Sequence, residues 1–172
     1  MEFPAALFLD CSVRRLRQTA SRIEDCLGRL SDIQIWARGS QTENAVGNLV
    51  LHLCGNVRQW IIAGIGGRPD IRERTVEFAA QGAISAAELA ARLRAVVDEA
   101  AAVIERLPDG RLTERLTIQQ YELTVLEAIY HVVEHFSGHA GQIIYATKML
   151  TGEDLGYYRH LQSAAPHHQQ TP

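Results

Sequence analysis

The chain has 172 residues, of which 17 are Lys or Arg, 20 are Asp or Glu and 7 are His; its formal charge is −3, with 47% hydrophobic and 22% charged residues. That length buries a core sufficient for one domain, residues 1–172, without disulfides or a structural metal. A mildly acidic chain with both signs interspersed offers no basic stripe for a phosphate backbone, so no nucleic-acid partner is expected.

The three cysteines, Cys11, Cys26 and Cys54, are odd in number and never arranged as Cys-x-x-Cys. They read as reduced apolar fillers, which suits a cytoplasmic protein. The N-terminal stretch carries no basic leader, and the longest apolar runs fall far short of the about 20 residues of a membrane span. Neither a signal peptide nor a membrane partner is expected.

Apolar residues recur with helical spacing through residues 5–30, at Leu7, Val13, Leu16, Ile23, Leu27 and Leu30, with charged and polar residues between them. A second helix is predicted from residue 42 or 44 to 63, stopped by Gly64, Gly66, Gly67 and Pro69. Residues 70–82 read as a polar connection. The third helix opens on the capping-box pattern Ser85-Ala-Ala-Glu88 and runs to 107, before Pro108-Asp-Gly110. Residues 111–123 alternate weakly, with β-branched Thr117 and Ile118 and aromatic Tyr121, a pattern compatible with a short hairpin. The fourth helix has its own capping box, Thr124-Val-Leu-Glu127, and extends to 150, where Thr151-Gly152 closes it. Residues 160–172 are expected to form a flexible tail. Four helices with two long connections and one shorter one predict an all-α, antiparallel four-helix bundle.

The fourth helix carries His131-Val-Val-Glu-His135-Phe-Ser-Gly-His139-Ala-Gly-Gln142. Histidines four apart share a helix face about 6 Å apart along the axis, close enough for two imidazoles to converge on one ion. His131 and His139 are two such steps apart, too far to share an ion, so His135 belongs to either pair. Projected at about 100° per residue, the apolar positions Val125, Ile129, Val132, Phe136, Ala140, Ile143 and Leu150 define the core direction. His139 lies nearest that stripe, His135 next and His131 farthest toward solvent, which favours the 135/139 pair. Exposed helix decoration is the competing reading. On the second helix, Asn48, His52, Asn56 and Gln59 form a narrow polar strip, either a wet side or the lining of a polar cavity.

Two motif readings are set aside. His131-Val-Val-Glu134-His135 matches an inverzincin pattern, but Glu134, its general base, projects toward solvent. A ferritin-like di-iron site needs Glu-x-x-His on two helices, and the second helix has no such motif.

The stretches Asn48-Leu-Val-Leu-His52-Leu-Cys-Gly-Asn56-Val-Arg-Gln-Trp60 and His131 to Gln142 resemble the two signature stretches of the DinB/YfiT-like superfamily, in a branch described as a domain of unknown function. The resemblance implies a four-helix bundle, commonly a homodimer, holding a divalent metal ion through three histidines: His52, His135 and His139. Zinc or nickel is the implied cofactor. The implied partner is a small-molecule substrate, with thiol S-transfer to or from a low-molecular-weight thiol, or hydrolysis, as the chemistry. Asn48, Asn56 and Gln142 are the candidates for supporting groups around the ligands or in the substrate pocket. The alternative is a metal-binding or structural dimeric bundle that catalyses nothing, favoured by the lack of an obvious acid or base beside the ligands. Fold and ligand set do not by themselves fix a reaction.

Overall fold

The computed structural model describes residues 4–82 and 84–162. It is mostly helical. Helix α1, Ala5–Arg29, lays a stripe of Leu9, Val13, Leu16, Ala20, Ile23 and Leu27 into the interior. A single turn follows, α2, Asp32–Ile35, which the sequence periodicity did not indicate because four residues carry no periodic signal. Its start is a capping box: Gln34 N donates to Ser31 Oγ, and Ser31 N donates to Gln34 Oε1 at 2.9 Å.

Helix α3, Val46–Val57, begins two to four residues later than periodicity suggested. It changes character at its end, where Arg58–Ile65 is π-helical. The wider winding is seen in Gly66 N donating to Ile61 O at 2.8 Å, five residues back. Gly64 lies in this segment for lack of room: a Cβ there would come 2.4 Å from Ile118 Cδ1. Gly67, at φ +72°, then ends the helix in the left-handed region.

Residues 70–82 correct the expectation of a plain connection. They contain a short helix, α4, Arg74–Ala79, whose one buried residue is Glu77. Helix α5, Ala86–Glu105, starts where the capping pattern placed it, with Glu88 N donating to Ser85 Oγ. Residues 111–123 do hold a hairpin: β1, Arg115–Ile118, pairs antiparallel with β2, Tyr121–Thr124, in the register Ile118 opposite Tyr121. Gln119 and Gln120 make the turn with φ +50° and +69°, the paired positive angles of a tight hairpin turn. Helix α6, Val125–Thr151, has both capping-box bonds at Thr124 and Glu127 and ends on Gly152 at φ +70°.

The four long helical stretches pack around one hydrophobic cluster, with α1 against α5 and α6 and α3 against α5 and α6. Ile23, Leu27, Leu53, Ile61, Leu89, Leu93, Ile104, Ile129 and Phe136 lie fully inside it. At about 1.5–3 kcal/mol per buried large apolar side chain, this cluster dominates the stability. Exposed ion pairs such as Arg17 with Glu105 at 2.8 Å add little. Among the described residues no helix is long and apolar enough to cross a membrane. Residues 160–162, expected to belong to a flexible tail, lie in a short 3-10 turn, Arg159–Gln162; residues 163–172 of that expectation fall outside the described residues.

Candidate metal centre

The packing of α3 against α6 brings three side chains of distant sequence into one place. One nitrogen each from His52, His135 and His139 lies within 4.8 Å of the others. His52 Nε2 and His135 Nε2 are 3.0 Å apart, and the three rings meet edge to face with centroids 4.5–5.0 Å apart. A tetrahedral ion with Zn–N bonds of about 2.0–2.1 Å keeps its ligand nitrogens about 3.3 Å apart. The cluster is therefore within small side-chain rotations of a three-nitrogen donor set, and the residues fit a divalent ion such as zinc.

The electrostatics suit the same use. Burial lowers the pKa of His135 to about 4, helped by the charges of His139, His52, His131 and Arg72. Burial also lowers that of His139, against a hydrogen bond to Gln142 that raises it. Both rings are therefore held neutral, the form that ligates a metal. His139 Nδ1 lies 2.8 Å from Gln142 Oε1, an acceptor that places a proton on Nδ1 and leaves Nε2 with its lone pair. Gln142 thus supports His139 from the solvent side of α6.

His52 is supported by residues that sequence reasoning missed. Its Nδ1 lies 3.0 Å from Glu77 Oε2. Arg72 grips the same carboxylate through Nε to Oε1 at 2.7 Å and Nη2 to Oε2 at 2.9 Å, and its Nη2 also lies 3.0 Å from His52 Nδ1. The Arg72 and Glu77 side chains are only 3% and 10% exposed. Burial alone would raise the Glu77 carboxyl, but hydrogen bonds from Arg72 and His52 and the charges behind them outweigh it and hold the pKa below its ordinary value. Further bonds fix Arg72. Its Nη1 donates to Gln59 Oε1 at 2.9 Å, and its backbone N donates to Asp70 Oδ1 at 3.1 Å. Gly55, on α3 beside His52, makes room for the pair: a Cβ there would stand 1.9 Å from Glu77 Oε1. A charged residue in a polar connection gives no sequence signal of this burial. The only hint was the unexplained glycine inside a helical pattern.

The three supporting candidates have different surroundings. Gln142 contacts His139, as described. Asn48, fully buried one turn before His52, donates through Nδ2 to the backbone carbonyls of Glu77 and Ala80, both at 3.0 Å, and accepts from Arg38 and from Ala45 N. It anchors α4, and so Glu77, instead of touching an imidazole. Asn56, one turn after His52, lies in the wall of a cavity of about 470 Å³ that also has His52, His135, Trp60, His131 and Tyr121 in its lining. This volume is typical of small-molecule sites. His131, which the helical projection put farthest toward solvent of the three, is the least buried of them. It is half-buried on Trp60, with ring centroids 4.1 Å apart, because the hairpin and the π-helical segment cover that face of α6. Glu134 is exposed, as the projection indicated. Cys54 stands outside the histidine group, and burial pushes its thiol up to about 12.

The fold has counterparts among solved structures. A conserved protein from Enterococcus faecalis superposes with a TM-score of 0.70 at 15% identity, covering 84% of this chain and 97% of that one. A DinB-like protein from Bacillus subtilis gives 0.66 at 13% identity over 86% and 96% of the two chains, and a DinB-like protein from Bacillus cereus gives 0.62 at 16% over 77% and 85%. At such identities the likeness is one of fold. No curated protein matches the sequence significantly. Residues 4–161 match the family described as a protein of unknown function, DUF1572. The chain therefore belongs to the DUF1572 family and has the DinB-like fold that its two histidine-bearing stretches resembled.

Proposed function

We propose that this protein is a divalent-metal-dependent enzyme acting on a small molecule held in the cavity beside the three histidines. The observation that carries the reading is the convergence of His52, His135 and His139, the first two of which line that cavity. Three neutral imidazoles leave a coordination position free for substrate, as catalytic zinc sites do and closed structural sites do not. A zinc or nickel ion bound there supplies Lewis acidity, bringing a water or thiol to ionisation near neutral pH. His52, His135 and His139 hold the ion, Gln142 and Glu77 orient two of them, and the wall of Asn56, Trp60 and His131 shapes the substrate space. Thiol S-transfer and hydrolysis both fit this arrangement. We place the enzyme in the cytoplasm as a homodimer of antiparallel four-helix bundles. Exposed Tyr145 and Met149 on α6 give such a dimer an apolar face to cover.

The second reading is a metal-binding bundle without turnover. One observation favours it: the cavity's two carboxylates, Glu122 and Glu127, include one committed to capping α6, and Glu77 is engaged by Arg72. Metal analysis of untagged protein tests the centre. We expect about one ion per chain in the wild type and in His131→Ala, and none in His135→Ala/His139→Ala. Equal, substoichiometric metal in all three would dismiss the site. Metal-dependent turnover of small thiols or esters, lost in His52→Ala, then separates the enzyme from the inert bundle.

A further inference from the structure

We propose that the buried Arg72–Glu77 pair is a positioning device that fixes His52 as the Nδ1–H tautomer and so turns the Nε2 lone pair toward His135 and His139. The inference concerns the imidazole itself; its bearing on metal affinity rests on the function proposed above.

The geometry around Nδ1 selects between two arrangements. Glu77 Oε2 and Arg72 Nη2 both lie 3.0 Å from that nitrogen. If Nδ1 carried the lone pair, it would accept from Arg72 but would face the carboxylate oxygen as one acceptor against another, at hydrogen-bond distance and out of water. If Nδ1 carries the proton, it donates to Glu77. Arg72 Nη2 then keeps its partner in the same carboxylate oxygen at 2.9 Å. The guanidinium has no acceptor capacity, and an ionised carboxylate has only acceptors. Each arrangement leaves one contact unfavourable, the lone pair against the carboxylate in the first and N–H against Arg72 Nη2 in the second. The second is the lesser, because Nη2 already has Oε2 as its acceptor whereas the carboxylate has no hydrogen to offer Nδ1. An unmade bond in so enclosed a place costs more than a made one gains.

The neighbourhood maintains the carboxylate in that role. Arg72 is pinned by Gln59, by Asp70 and by both oxygens of Glu77, and its side chain is almost wholly buried. Asn48 ties the backbone of Glu77 and Ala80 to the first turn of α3. Gly55 keeps the space between α3 and α4 open for the carboxylate. A buried ion pair is a weak contributor to stability, and often no better than apolar residues of similar size. This one lies directly behind an imidazole. A carboxylate on the far nitrogen of a ligating histidine orients the ring and raises its basicity.

The test is long-range nitrogen–proton correlation NMR on metal-free protein with nitrogen-labelled histidine, at a pH where the imidazoles are neutral. In the wild type, His52 Nδ1 is expected to resonate as a pyrrole-type nitrogen and Nε2 as a pyridine-type one. In Glu77→Gln, Arg72 retains the amide oxygen, so the amide NH₂ faces Nδ1 and the assignment reverses. Arg72→Met/Glu77→Leu removes both charges together and avoids leaving an unpaired buried arginine. In that variant His52 is expected to lose the wild-type pattern in a protein that still folds. A pyridine-type Nδ1 in the wild type, or the wild-type pattern in both variants, would overturn the inference. Zinc affinity by competition titration gives the second reading, with a weakening of about 10- to 100-fold expected in Glu77→Gln. If the wild type binds no zinc while the tautomer pattern is as stated, the inference stands and the metal-centre reading fails. If zinc binds tightly but Nδ1 is not the protonated nitrogen, the metal centre stands and the inference fails.

Discussion

Replacing Gly55 by alanine tests the packing behind the centre with a single methyl group. In an ordinary helix interior the change is stabilising by about 0.5–1 kcal/mol, because glycine loses more conformational freedom on folding. At Gly55 the new Cβ would stand 1.9 Å from Glu77 Oε1, 2.7 Å from Glu77 Cδ and 2.9 Å from Arg72 Nε. A carbon and an oxygen in contact need more than 3 Å, so the carboxylate must retreat by over an ångström. That retreat breaks the 3.0 Å bond to His52 Nδ1 and disturbs the 2.7 Å bond from Arg72. Losing one partner of a buried ion pair costs about 3–5 kcal/mol. Partial relaxation and the propensity gain reduce this, and a net loss of about 2–3 kcal/mol is expected. Urea denaturation of metal-free protein measures it, with Gly28→Ala in α1 as the reference, since nothing lies within 4 Å of a Cβ there. The reference should gain up to about 1 kcal/mol. Equal stabilisation of both variants would refute the account of how Glu77 is packed.

Two further outcomes follow from other parts of the molecule. His135 has its pKa lowered to about 4 in the folded protein against an ordinary value of 6.5, so the unfolded chain binds more protons between those values. Its contribution to stability is complete above about pH 6.5 and lost as the pH falls toward 4. Urea midpoints of metal-free wild type should therefore drop through that interval more steeply than those of His135→Ala, and parallel profiles would argue against a neutral buried ring. In the hairpin turn, Gln120 adopts φ +69° with a side chain, a conformation that costs an L-residue about 1–2 kcal/mol relative to glycine. Gln120→Gly should raise stability by about 1 kcal/mol in the same assay. An unchanged or lowered midpoint would show that the side chain makes a compensating contact.

The sequence was sufficient for whatever depends on local rules. Helical periodicity and the capping pairs Ser85 with Glu88 and Thr124 with Glu127 located three of the four long helices to within a residue or two. Two histidines four apart marked a face of α6 without the need for any other element. The winding of Arg58–Ile65 escaped this kind of reading, as did the close approach of Ile118 to Gly64 from a distant hairpin. The contact of His131 with Trp60 was equally out of its reach. A helical projection knows where the average core lies, but it cannot know that Trp60 and the hairpin will cover a second face.

The same division runs through the metal centre. The candidate ligand atoms come from α3 and α6, whose histidines share no local constraint; the resemblance joined them in the sequence, and packing joins them in space. Glu77 and Arg72 lie in a stretch whose composition reads as solvated loop, because charged residues are usually exposed and no period of 2 or 3.6 marks an isolated turn of helix. They become buried where Asn48 and Gly55, 17 to 29 residues earlier, offer that stretch an anchor and a gap. The sequence by itself determined which elements form and which imidazoles can share a face. Tertiary structure alone decided what stands behind those imidazoles, because hydrogen bonds between distant segments leave no periodic trace in either one.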